Sequence, residues 1–348
     1  MGTSLALALR EAGVQTWLHD TAVGRLALAV ERGAGEPHDD GNGERYDVVV
    51  LAVPPDAVAG ELRRCQEARL ATTFTDLASV KAKPLAEAER LGADLTCYVG
   101  GHPIAGRERS GPAAAHADLF VGRPWVITPT SQSSAEAVER VRELVVAAGG
   151  VPVVMTAEEH DAALALVSHL PHVLASLLAG ALLSSSPETT ALAGTGLQDT
   201  TRIAAGDPAL WTEILAANAE HLARLVEDFG VRLQHAARIF DAIAAGDREA
   251  IGELTALLEE GKRGRTLLPV KRGEPATGFA TVAVTVRDAP GELAALLRTL
   301  ADAGINVEDV RVEHEPGRPL GVVELDVRED RVHDLVRCVR DAGWQIYQ

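Results

Sequence analysis

The first twenty residues, MGTSLALALREAGVQTWLHD (residues 1–20), weigh most on the fold. They read as a helix, a turn at Gly13 and a strand that runs out at Asp20. In a dinucleotide-binding unit the order is strand, glycine-rich turn, helix, strand, and then an acidic residue roughly 20 positions on. Asp20 stands 18 positions after Gly2, and Gly2 would be the last glycine of G-x-G-x-x-G, the one that lets helix and strand pack closely. Two readings stay open here: Asp20 receives a ribose hydroxyl, or it only closes a strand. Under the first, the preceding strand and the other two glycines are missing from these residues. That strand would be central, and its loss would orphan buried backbone groups at roughly 1–3 kcal/mol each. The reading frame is therefore expected to begin upstream of Met1.

Further along, short apolar runs alternate with helical stretches as far as about residue 156. Strands are expected at residues 14–19, 47–53, 72–77, 95–99 and 125–128, with helices at 55–64 and 134–148, the rhythm of a parallel α/β sheet. The almost uniformly apolar run 47–53 suits a strand covered on both faces. Residues 157–261 carry helical periodicity only, in segments 158–183, 208–229 and 231–259, the last broken near Gly246. Residues 262–278 (KRGRTLLPVKRGEPATG) are basic, rich in Gly and Pro, and read as a linker. From 279 to 348 the order is β-α-β-β-α-β, the ferredoxin-like arrangement. The expected organisation is thus an α/β domain (1–156), a helical domain (157–261), a linker (262–278) and a small α/β module (279–348).

The 348 residues include 33 Lys+Arg and 50 Asp+Glu, a net charge of −17. Such a charge repels a phosphate backbone and an anionic membrane surface, so neither nucleic acid nor membrane is an expected partner. Three widely spaced cysteines, Cys65, Cys97 and Cys338, offer no disulfide framework and no paired zinc ligands. The longest apolar run, residues 173–183, is too short to span a bilayer, and Arg10 and Glu11 come too early for a signal peptide. A soluble cytoplasmic protein is expected.

Four segments place polar residues where a core pattern would not. TDLASVKAKP (75–84) follows a strand and carries Ser79. GGHPIAGRERSG (100–111) sets His102 after a strand and two glycines. Strand C-termini line the ligand crevice of open α/β sheets, so both residues should face it. The alternatives are a helix N-cap for Ser79 and a turn-capping histidine for His102. In VSHLPHVLASLL (167–178), His169 and His172 share a helix face with Ser168 beside them, and Pro171 should disturb the helix and free a carbonyl. No carboxylate or cysteine nearby completes a ligand set, so no metal is expected. AGTGLQDTTRIAAGDPALW (193–211) offers Arg202, whose planar fork suits a carboxylate; an ion pair with Asp199 or Asp207 is the competing reading.

In this order, DLASVK, GGHPIAGRERSG, SHLPH and DTTRIAAGDPALW resemble the prephenate dehydrogenases of tyrosine biosynthesis over nearly the whole chain. DAPGEL (288–293) and GIN (304–306) resemble an ACT domain, an amino-acid-sensing module. The resemblance implies a Rossmann-like dinucleotide-binding domain, a helical substrate and dimerisation domain, and a regulatory ACT tail. It implies NAD-dependent oxidative decarboxylation of prephenate to 4-hydroxyphenylpyruvate. His102, with an unperturbed pKa of about 6.5, would take the ring hydroxyl proton as hydride leaves for NAD. Ser79 would hold that hydroxyl. Arg202, Ser168, His169 and His172 would receive the carboxylates of the dianion, with Trp211 and Asp199 shaping the pocket. Gly2 and Asp20 would meet the cofactor, and Asp20 favours NAD over NADP, moderated by nearby Arg25.

In the tail, Asp288, Pro290, Gly291 and Asn306 fall where ACT modules bind an amino acid, usually between two copies. Tyrosine is the expected effector, with phenylalanine or tryptophan as substitutes; a purely structural dimerisation module is the alternative. A homodimer is expected. The rival activities are an arogenate or dual-specificity dehydrogenase and, from another class, a non-catalytic amino-acid-binding protein.

Overall fold

The computed structural model describes residues 1–39, 45–106, 111–268, 278–314 and 319–347. Residues 107–110 of the His102 segment and most of the expected linker lie outside them. Contacts divide the chain into two units, Met1–Gln234 and His235–Gln348.

The first unit opens with α1 (Gly2–Glu11), β1 (Trp17–Leu18), α2 (Val23–Glu31), β2 (Glu36–Pro37), β3 (Tyr46–Leu51), α3 (Val58–Glu67), β4 (Ala71–Asp76) and α4 (Ala82–Arg90). It continues with β5 (Gly100–Pro103), β6 (Pro124–Thr128), α5 (Ala135–Ala147) and β7 (Val151–Val154). β1 pairs with β2 and β3 with β4, both in parallel. A parallel bridge from Phe74 to Tyr98 carries the β4 edge toward β5. β5 then runs antiparallel to β6, and β6 parallel to β7. The sheet is therefore mixed where alternation suggested a purely parallel one.

Helices cover both sides of this layer. Leu5, Ala8 and Leu9 of α1 recur at helical spacing and join Val141 and Val145 of α5 over Trp125 and Ile127. On the other side Val58 and Leu62 of α3 and Ala88 of α4 pack on Leu51 and Phe74. Each fully buried aliphatic side chain contributes on the order of 1.5–3 kcal/mol. α5 begins where Ser134 Oγ accepts the Ala137 N–H at 3.1 Å, the geometry of an N-cap.

Three sequence expectations shift here. The first strand is short, Trp17–Leu18 instead of residues 14–19. β3 is mostly half-buried, because it pairs only with β4 among the described strands. Residues 95–99 begin as a 3-10 turn, Leu95–Cys97, and the strand comes after it, so His102 lies inside β5 and not beyond a strand end. The two glycines belong to the strand because neighbours crowd it: a Cβ on Gly101 would sit 2.7 Å from the Asp76 carbonyl oxygen.

The helical part holds α6 (Ala157–Leu164), a π-helical turn (Ala165–His169), α7 (Leu170–Ala181), α8 (Pro187–Thr190), α9 (Thr195–Thr201), a 3-10 turn (Arg202–Ala205), α10 (Pro208–Ala217) and α11 (Ala219–Ala244). α6 starts with a reciprocal capping box between Thr156 and Glu159. Pro171 does not break the helix. It sits in the first turn of α7, where its missing N–H is tolerated, and the π turn precedes it. The helical stretch Ala157–Ser184 contains an 18-residue window of mean hydropathy 1.7 and, by length and composition alone, is long and apolar enough to cross a membrane. It exceeds the expected apolar run, residues 173–183, because the helix continues N-terminally through buried His160, Asp161, His169 and His172. The expected break at Gly230 is absent; the helix runs through it and is interrupted at Asn218 instead.

In the second unit α11 gives way at Gly246, whose φ of 91° is left-handed, and α12 (Glu249–Arg265) follows. Then come β8 (Phe279–Arg287), α13 (Glu292–Asp302), β9 (Asp309–His314), β10 (Leu320–Arg328), α14 (Val332–Asp341) and β11 (Gln345–Ile346). The sheet order β11-β8-β10-β9 is antiparallel throughout, the ferredoxin-like topology expected. Val284, Val323 and Leu325 face Leu296, Leu300, Leu335 and Val339 in its core.

Candidate active site

Around the end of β4 the fold buries charge. Asp76 and Lys81 form an ion pair with both side chains essentially inaccessible. Lys81 Nζ also donates to the Gly101 carbonyl at 2.7 Å. Tyr98 Oη donates to Asp76 Oδ2 at 2.7 Å, and the Ala78 amide to Oδ1 at 2.7 Å. Burial pushes the Lys81 ammonium below its ordinary pKa, partly offset by Asp76 and Asp161. Burial, then the Asp76 charge, raises the Tyr98 phenol well above its usual value. These contacts fix the turn that carries Ser79, which is half-buried. Ser79 is not an N-cap. The residue before α4 is Lys81, with no side-chain cap of its own.

The cap comes from 80 residues away. Asp161 in α6 accepts the Lys81 N–H at 2.8 Å and the Ala82 N–H at 2.9 Å. Burial alone would raise the Asp161 pKa, but donors from His160 and these two amides hold it below the usual carboxylate range. The adjacent His160, fully buried, reaches Asp161 Oδ1 through Nδ1 at 2.7 Å. Its Nε2 lies 2.8 Å from His102 Nδ1. His102, His160 and Asp161 thus form one buried line. Burial, and then the proximity of His160, Lys81 and His169, push His102 well below its ordinary pKa. An uncharged imidazole of this kind is free to accept a proton at neutral pH.

The π turn brings His169 to the same interior. His169 is buried and its Nδ1 lies 3.0 Å from Asn218 Nδ2, which donates to the Asp161 carbonyl at 2.7 Å. Burial lowers the His169 pKa to about 4. His172 stacks on Trp211, ring centroids 3.6 Å apart and planes 12° from parallel. Among the described residues His172 Nδ1 is buried without a hydrogen-bond partner, which suits a polar ligand group. Ser168 is half-buried beside this face and Arg202 is exposed at the head of its 3-10 turn. Asp207 caps α10 through the Ala209 N–H at 3.0 Å.

Of the residues singled out from sequence, His102 and His169 share one hydrogen-bonded interior, and His172 adjoins it through Trp211, whose ring also lies 6.4 Å from that of His169. At the same C-terminal end of the parallel β3–β4 pair, where Leu51 lies beside Asp76, Gly2 opens α1 so close to the chain that a Cβ on it would meet the Ala52 Cβ at 2.8 Å. Asp20 accepts the Ala22 N–H at 2.8 Å and pairs with Arg25 at 3.2 Å. In the second unit Asp288 and Pro290 are exposed, Gly291 caps α13 with a φ of 93°, and Asn306 donates to Glu308 at 2.6 Å. Sequence reasoning missed His160, Asp161 and Asn218. The available signal was a His-Asp pair set inside an otherwise Ala- and Leu-rich helix.

Residues 5–154 match the nucleotide-binding domain of prephenate dehydrogenase, 156–260 its dimerization domain, and 280–336 the ACT domain. A probable prephenate dehydrogenase of Streptomyces niveus is 36% identical across 99% of this chain and 96% of its own length. The prephenate dehydrogenase of Aquifex aeolicus, solved with hydroxyphenyl propionate and NAD+, superposes with a TM-score of 0.66 at 31% identity, covering 76% of this chain and 93% of that one. A Synechocystis arogenate dehydrogenase gives 0.63 at 28% identity, over 76% and 94%. By fold, by domain order and by similarity along its whole length, the chain belongs to the prephenate dehydrogenase family.

Proposed function

We propose that this oxidoreductase converts prephenate and NAD+ to 4-hydroxyphenylpyruvate, CO2 and NADH, with His102 as the base. What supports the reading is the buried, uncharged imidazole of His102 tied to His160, in a chain similar at 36% over almost its entire length to a probable prephenate dehydrogenase.

The residues present suit a dinucleotide. The close approach of Gly2 to Ala52 lets the N-terminus of α1 lie near the sheet, where helix N–H groups attract a pyrophosphate. Asp20 offers a half-exposed carboxylate just past β1 for ribose hydroxyls. NAD, when bound, supplies the acceptor for the hydride.

The chain's own residues do the rest. His102 removes the ring hydroxyl proton as the carbon bearing it gives up hydride. The ring carboxylate leaves as CO2, and its electron pair makes the ring aromatic and leaves charge on the former hydroxyl oxygen. The proton held by His102 returns there, so no net proton is consumed. Ser79 donates to the same oxygen and orients it. Arg202, His169, His172 and Ser168 receive the two carboxylates, with Trp211 holding His172 in place. Apolar side chains exposed on this helical stretch, Leu166, Val167 and Leu177 among them, join a second copy in a homodimer. The ACT module binds an aromatic amino acid, tyrosine first, at Asp288, Pro290, Gly291 and Asn306.

Arogenate is the competing substrate, favoured by the resemblance to the Synechocystis arogenate dehydrogenase. Measuring kcat/KM from nicotinamide absorbance with each substrate tests the assignment. Turnover of prephenate well above arogenate supports it, and no turnover of prephenate overturns it.

A further inference from the structure

We infer that Asp161, through His160 on one side and Asn218 on the other, sets His102 and His169 in opposite tautomers, one a proton acceptor and the other a proton donor toward substrate. The inference deepens the reading of His102 as base and rests on it. His160, Asp161 and Asn218 are positioning residues.

The hydrogen bonds run outward from the Asp161 carboxylate. Asp161 takes three N–H donors, from His160 and from the Lys81 and Ala82 amides. An ionised carboxylate only accepts, so His160 carries a proton on Nδ1. Its Nε2 then presents a lone pair to His102 at 2.8 Å. His102 must place its own proton on Nδ1, which leaves Nε2 bare. That is the nitrogen able to take a hydroxyl proton. When it does, the new charge on His102 lies at the end of two aligned N–H dipoles pointing to Asp161.

The second branch begins at the backbone carbonyl of the same residue. A carbonyl only accepts, so the Asn218 atom 2.7 Å from it is the amide nitrogen. The same nitrogen lies 3.0 Å from His169 Nδ1. Its second hydrogen goes there, making Nδ1 the acceptor. Neutral His169 therefore carries its proton on Nε2, a donor fit for a carboxylate. Asn218 is free to reach both partners because the helix is interrupted at this position, between α10 and α11.

The charged and titratable groups around the two rings come from several elements: Lys81 before α4, His160 and Asp161 on α6, and His172 on α7. Were His160 doubly protonated, it would donate to His102 and force the opposite tautomer, disabling the base. The two arrangements are thus distinguishable without substrate.

The test is nitrogen NMR of the full chain labelled at histidine, with His102→Gln and His169→Gln assigning the signals. The expected result is a proton on Nδ1 of His102 and on Nε2 of His169. A proton on Nε2 of His102, or on Nδ1 of His169, overturns the inference. Kinetics supply the second arm. His160→Phe should lower kcat about 10- to 100-fold while KM for prephenate stays within about threefold. His160→Gln, whose amide oxygen can accept from His102, should recover most of that loss. Asn218→Leu should raise KM and spare kcat. A His160→Gln enzyme no faster than His160→Phe overturns the inference. The NMR arm needs no turnover, so an unmodified chain that ignores prephenate sinks the functional reading separately.

Discussion

The carboxylate of Asp161 accepts the backbone N–H of Lys81 at 2.8 Å, across 80 residues of sequence. Through that bond and its partner from Ala82, a residue of the helical segment caps the helix that follows the Ser79 turn. The same carboxylate orients His160 against His102. The turn with the hydroxyl and the strand with the imidazole therefore share one anchor. Errors in placing either would be correlated, which is useful where reacting atoms must meet within a fraction of an ångström.

Replacing His102 with Asn removes the acceptor nitrogen. We expect kcat to fall roughly 10²- to 10⁴-fold with little change in KM. Steady-state nicotinamide absorbance with prephenate measures it. Near-normal kcat would take His102 out of the chemistry.

Arg202→Ala should act on binding. Losing a charged hydrogen bond to a carboxylate costs about 1.5–3 kcal/mol, or roughly 10- to 100-fold in KM. A KM that does not move would make Arg202 a structural residue.

The pH profile follows from the depressed pKa of His102. Its imidazole, faced by His160, Lys81 and His169, stays unprotonated below the ordinary value of 6.5. Activity is lost only as pH falls through the lowered pKa. The acid limb of kcat/KM should thus lie below 6.5, with a flat rate from neutrality down to that point. An acid limb centred at or above 6.5 would contradict the buried geometry.

Lys81→Met would strand the Asp76 charge in a site closed to solvent. Breaking one side of a buried pair costs about 3–5 kcal/mol. Urea unfolding should show it, and adding Asp76→Asn should return much of the loss. Equal stability of the single and double variants would argue against a buried ion pair.

Gly206→Ala tests the His172 platform. A Cβ there would come within 2.5 Å of Trp211 Nε1 and 3.3 Å of His172 Cε1. The indole must shift off the imidazole at a cost of about 1–3 kcal/mol. We expect a higher KM for prephenate with kcat largely kept. Unchanged KM would mean that the stacked pair does not meet substrate.

Where chemistry is local, the sequence was readable. Alternation in residues 279–286, the strand run at 321–328 and the helical runs after each specified the topology of residues 279–348. Likewise, the spacing of His169 and His172 put both on one interior face. What escaped notice was whatever depends on partners far apart in sequence. Nothing near α4 announces that its cap is Asp161. A helical period continues smoothly through Asn218, and nothing local announces that its side chain bonds the Asp161 carbonyl and the His169 imidazole. Gly100 and Gly101 looked like a loop because glycine often is one. They are strand residues because Thr128 crowds Gly100, while Asp76, Thr75 and Trp125 crowd Gly101, leaving no space for larger ones.

The π turn at Ala165–His169 stores angular information. It holds one more residue than an α turn would, and each residue advances a helix by ~100°. Deleting exposed Leu166 or Val167 would let the helix relax to regular winding. The wider turn already absorbs the extra residue's rotation, so His160 and His172 would keep their faces and only the turn itself, with Ser168 and His169, would shift. One surplus residue, chemically bland, thus sets where His169 stands between His160 and His172.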